Sequence, residues 1–168
     1  MIIQGRILAT QAAYDIKYHK SIRLEADIYR TVGLRCSITI CTKNSKIFFS
    51  DKSLSADFAA LLKKHSQKND IPLYAYCVMP DHVHLLISAS AKKDVIAFVR
   101  EIKSLSTRIA WSYSYQGGIW QTSFYDHFLR KDDDCREVAR YIIQNPVRKG
   151  MVENWRDYEF CGSLVHDL

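Results

Sequence analysis

The sequence predicts an α+β domain, an antiparallel sheet with two helices packed on its apolar face. Short segments alternate apolar and polar side chains, the period of a half-buried strand. Two longer segments repeat their apolar residues at helical spacing. The resulting order of strand, helix, strand, strand, helix, strand, helix suits one sheet with its helices gathered on one side. At 168 residues the chain is expected to form one domain, long enough to bury a core without disulfides or metals as staples.

The first strand is expected over Val32 to Thr42, with Cys36, Ile38 and Ile40 on one face and Arg35, Ser37 and Thr39 on the other. A helix follows, with a stripe of Leu54, Phe58, Leu61, Leu62 and His65 behind the start signals Asp51 and Ser53, ending near Lys68-Asn69-Asp70. Leu73 to Val78 reads as a strand. Pro80-Asp81 turns it into a second one, making an antiparallel hairpin. The next helix starts near Lys93 and carries Val95, Phe98, Val99, Ile102, Leu105 and Ile109 as its stripe. Arg100, Lys103, Ser104, Thr107 and Arg108 fall on its other sides. Gly117-Gly118 breaks the chain, and Ser123 to Arg130 reads as an aromatic strand. Asp132-Asp133-Asp134 supplies an N-cap and favourable charge for a third helix, with Cys135, Val138, Ala139 and Ile142 as its stripe. Residues 1–28 are poorly placed; Gln11 to Tyr18 is read as a short helix or an irregular arm.

Composition narrows the function classes. Five cysteines, with no Cys-x-x-Cys spacing, argue against a disulfide framework or a cysteine zinc site. Met1 to Leu8 does not read as a signal peptide, and no apolar run approaches a membrane span, so a cytoplasmic protein without a membrane partner is expected. A net charge of +6 permits phosphate neutralisation on nucleic acid without requiring it.

The chemistry concentrates in two stretches. In Met79-Pro80-Asp81-His82-Val83-His84-Leu85, strand alternation puts His82 and His84 on one face and Val83, Leu85, Ile87 and Ala89 on the other. Paired imidazoles on one strand face suggest a metal site; a pair that merely decorates a strand start is the bland alternative. The second stretch runs from Tyr141 to Arg148. Tyr141 and Asn145 lie one turn apart on a flank of the third helix's stripe, and Pro146 ends or kinks the helix. By itself that pair reads as a core tyrosine and a capping asparagine.

Together the two stretches resemble the REP-associated tyrosine transposases, part of the His-hydrophobe-His, single-tyrosine, IS200-like transposases. Ile119-Trp120-Gln121 to Arg130 and Val32 to Thr42 resemble further segments of that family, so that the likeness spans about residues 29–163. Lys149 stands where the family often has alanine, and Phe160 near where it often has tryptophan.

The resemblance implies a ferredoxin-like or RRM-like antiparallel sheet and a catalytic helix carrying the tyrosine. It implies His82, His84 and Asn145 as ligands of Mg²⁺ or Mn²⁺, and Tyr141 as the nucleophile. It also implies cleavage and rejoining of single-stranded hairpin DNA through a 5′-phosphotyrosine, by a monomer or a homodimer. Arg100, Lys103, Arg108 and Arg148 are the candidate DNA contacts. Three other readings stay open: an RRM-like module stacking bases on Tyr74 and Tyr76, an inactive domesticated transposase, and a metal hydrolase that uses water.

Overall fold

The computed structural model describes residues 26–130 and 133–168. A 3-10 turn, Ala26–Arg30, precedes β1 (Arg35–Cys41), α1 (Lys52–Lys68), β2 (Leu73–Met79), β3 (His82–Ser88) and α2 (Val95–Ser112). Then come β4 (Tyr125–Phe128), α3 (Cys135–Ile143), the short α4 (Asn145–Arg148) and β5 (Cys161–Gly162). The sheet is antiparallel throughout, in the order β4-β1-β3-β2-β5. Without β5, that order and the succession β-α-β-β-α-β are the expected ferredoxin-like arrangement. The proposed element at Gln11 to Tyr18 lies outside the described residues, as does Asp132.

Local chemistry sets the helix starts. The Asp51 carboxylate accepts from Ser53 N and Leu54 N at 2.9 and 3.2 Å, and Asp94 caps α2 by accepting from Ala97 N at 2.7 Å. Asp134 caps α3 through Arg136 N at 2.8 Å. Each satisfies amide hydrogens that have no partner within the helix. Two strands are shorter than alternation predicts. Gly33 takes a left-handed φ of 79°, so Val32 keeps only an isolated bridge to Ala89 and β1 begins at Arg35. The aromatic strand keeps ladder pairing only over Tyr125–Phe128.

The two faces of the sheet are both covered. Cys36, Ile38, Ile40, Val83, Leu85 and Ile87 pack under α1 and α2, against Phe58, Leu62, Phe98 and Ile102. On the opposite face, Ala75, Cys77, Met79 and Leu86 make a second apolar core with Val138, Ala139, Ile142 and Ile143 of α3. A register shift between Leu73 and Ala75 puts these two residues in different cores. This bulge reverses the alternation at the start of β2. Tyr76 therefore lies in the helix-side core at 5% exposure, while Tyr74 is half-buried beside Arg35 and His166. These tyrosines do not form the open stacking platform that an RRM-like module requires.

Candidate active site

The β2–β3 turn is held from outside the hairpin. Thr42 donates to Asp81 O through both its amide (2.9 Å) and its hydroxyl (2.8 Å), and Phe49 N donates to Pro80 O at 3.0 Å. This fixes the start of β3, where the two histidines stand. Ladder pairing places Tyr125, Thr39, His84, Cys77 and Cys161 in one row across all five strands.

Each imidazole is anchored by its Nδ1. His82 Nδ1 donates to Asp81 Oδ1 at 2.6 Å, and His84 Nδ1 lies 3.0 Å from Thr39 Oγ1. The two Nε2 atoms converge at 3.0 Å, with the rings nearly perpendicular at 83°. Burial, then the His82 ring and the charges of Arg148 and Lys149, push the His84 imidazole down to about 3. It is neutral at physiological pH and keeps a nitrogen lone pair.

A single hydrogen satisfies the Nε2 pair. His84 Nε2–H can donate to His82 Nε2 while His84 Nδ1 accepts from the Thr39 hydroxyl. If both Nε2 lone pairs faced a cation, His84 would carry its hydrogen on Nδ1, and Thr39 Oγ1 would accept it. A hydroxyl serves either tautomer.

These residues fit a divalent ion. Two adjacent ligands about 2.1 Å from one octahedral ion lie about 3.0 Å apart, and a carboxylate behind His82 is the usual support of a ligating imidazole. Among the described residues no group of three or more His, Cys, Asp or Glu side chains is arranged for a metal. Any further protein ligand would have to be of another type, such as an amide oxygen.

Asn145, Tyr141 and Arg148 are tied together where α3 passes into α4. Asn145 is buried at the start of α4, its Nδ2 donating to Ile142 O at 2.8 Å. Its Oδ1 accepts from Arg148 Nη2 at 2.8 Å. Arg148 Nη1 donates to Tyr141 O at 2.7 Å, and its guanidinium lies 3.7 Å from the centre of the Tyr141 ring. The proposed third ligand is thus turned toward arginine. The α3–α4 segment lies on the histidine face of the sheet through the second core.

The other basic candidates lie elsewhere. Arg100 and Arg108 are exposed on α2, which packs on the face opposite the histidines. Lys103 Nζ donates to the carbonyls of Gln121 (2.5 Å), Thr122 (3.0 Å) and Ser123 (3.4 Å), stapling the segment before β4 to α2. Trp120 packs with Phe49 and Phe58 and donates Nε1–H to Ser106 Oγ at 2.9 Å, so the tryptophan-glutamine segment is built into the core. By sequence, Asp81 reads only as a turn former and Thr39 only as a polar-face residue. Their positions, immediately before His82 and on the polar face of the first strand, were the available signals.

The model of the IS200-like transposases matches residues 31–145, and this chain belongs to that family. A REP-associated tyrosine transposase of Escherichia coli K12 is 32% identical over 96 residues, 55% of this chain and 56% of the relative. A Haemophilus influenzae protein provisionally assigned to the same group is 30% identical over 115 residues, 62% of this chain. The chain spans 65% of that relative's length. Among solved structures, a REP-associated tyrosine transposase bound to a REP hairpin superposes with a TM-score of 0.66 at 24% identity, covering 85% of this chain and 82% of the other. At that identity the likeness establishes the fold.

Proposed function

We propose that this chain is a metal-dependent transposase that cleaves and rejoins single-stranded DNA at hairpins, with Tyr141 as nucleophile. The observation that carries the proposal is the convergence of the His82 and His84 Nε2 atoms at 3.0 Å, each ring anchored through Nδ1. Family membership supplies the reaction class. His82 and His84, with Asn145 as a third ligand, would hold Mg²⁺ or Mn²⁺; imidazole also accepts zinc or nickel.

The bound ion would polarise the scissile phosphate and offset charge in the transition state. Tyr141 Oη attacks the phosphorus, a tyrosyl P–O bond forms, and the P–O3′ bond breaks. The phenol gives up its proton and the departing 3′ oxygen gains one, so the step is balanced. Attack of a 3′-OH on the 5′-phosphotyrosine reverses it without ATP. Thr39 and Asp81 act by orienting the two imidazoles. Arg148, Arg100 and Arg108 are the basic residues proposed to meet phosphates, Arg148 at the site and the other two on the opposite layer.

Incubation with a single-stranded hairpin and Mn²⁺, followed by denaturing electrophoresis, tests the reading. The expected result is a covalent adduct mapping to the peptide with Tyr141. The adduct should be lost in Tyr141→Phe, His82→Ala and His84→Ala and on chelation. Cleavage with no adduct would point to water as nucleophile, and an adduct on another tyrosine would overturn the assignment.

A further inference from the structure

Arg148 does three things with one planar group. It donates to Tyr141 O, it occupies Asn145 Oδ1, and it stacks on the Tyr141 ring. Asn145 has little freedom to answer, because its Nδ2 is committed to Ile142 O and the residue is 8% exposed. The reversed amide would face its oxygen to the Ile142 carbonyl and its NH₂ to a guanidinium, so the partners fix which atom meets Arg148. Arg148 itself is exposed, and a guanidinium pairs with phosphate through the same two-pronged geometry it uses here.

We propose that Arg148 is a latch: it holds the Asn145 oxygen and covers the Tyr141 ring until a DNA phosphate draws its guanidinium away. Substrate binding and cation binding are then coupled through this side chain. The inference rests on the proposed role of His82, His84 and Asn145 as ligands. While Arg148 stays on Asn145 Oδ1, that oxygen is a poor donor and a positive charge lies beside the place the ion would take. Phosphate both neutralises the charge and frees the oxygen. Such coupling is reciprocal, so the ion must also tighten DNA binding. Arg148 is in this sense a positioning residue, acting on the ion through Asn145.

The test measures Mn²⁺ affinity directly, by the electron paramagnetic resonance signal of the free ion, with and without a short single-stranded hairpin. Wild type should bind Mn²⁺ about tenfold more tightly when the hairpin is present, within the usual range of coupling between sites. Arg148→Lys keeps the charge but cannot form both hydrogen bonds from one planar fork. It should therefore bind Mn²⁺ more tightly than wild type without DNA and gain less from the hairpin. In an Asn145→Ala background, the same lysine substitution should change nothing, which closes a double-mutant cycle on the contact.

Equal DNA-free affinity in wild type and Arg148→Lys, with equal gains on adding hairpin, would overturn the latch. His82→Ala keeps the two readings apart. If Mn²⁺ binding needs His82 but ignores Arg148, the latch falls and the metal site stands. If binding is the same without His82, or wild type binds no Mn²⁺ at all, both fall.

Discussion

His82 and His84 illustrate how little of the geometry of a histidine pair lies in the histidines themselves. Their usable geometry comes from Asp81 and Thr39, which set both rings so that the Nε2 atoms meet. Lys103 makes the opposite point. Its position on the polar side of a basic helix suggested a phosphate contact, yet its ammonium is consumed by backbone carbonyls. Lys103→Met keeps most of the aliphatic stem and removes the charge. Charge-assisted hydrogen bonds of this kind contribute about 1.5–3 kcal/mol, so the variant should unfold at lower urea. The salt dependence of its DNA binding should match that of wild type. A clearly shallower salt slope with unchanged stability would instead make Lys103 a phosphate contact.

Helix α3 depends on packing more than on propensity. It is a nine-residue helix, too short to persist alone in water, and it is held by its Asp134 cap and by Val138, Ala139, Ile142 and Ile143 against the sheet. The four-residue α4 continues it and carries Asn145 and Arg148. Leu86 is fully buried beneath α3. Leu86→Ala should cost about 2–5 kcal/mol in denaturant unfolding. Amide exchange should rise more in α3 than in α1, which packs on the other face. Uniform loss of protection in both helices would mean that the two cores unfold as one unit.

Among the described residues, the basic residues proposed to meet phosphates do not share one face of the sheet. Arg148 and Lys149 lie near His84, whereas Arg100 and Arg108 stand on α2 across the sheet. A nucleic acid meeting both sets must pass around the edge of the domain, which a folded hairpin with a single-stranded flank can do more readily than a straight duplex. Affinity for a hairpin should fall steeply with salt, as released counterions require. The hairpin should also outcompete duplex of equal length in a filter-binding assay. Equal affinity for the two would contradict the preference.

Much was determined by the order of side chains alone. Alternation put both histidines on one face, helical spacing placed Tyr141 and Asn145 a turn apart, and the succession of elements marked the antiparallel α+β sheet. These are local periodicities, which a strand or helix obeys wherever it packs. The bulge at Tyr74 and Ala75 broke that rule, because an extra residue flips the faces without altering composition. The two-residue β5 carried no period to detect, and its place is set by pairing with β2. The commitments of single polar groups were likewise decided only in three dimensions. Lys103 could reach solvent or carbonyls, Asn145 Oδ1 an ion or Arg148, and Thr39 any neighbour on its face. The choice depended on atoms distant in the chain that folding brought within hydrogen-bond reach.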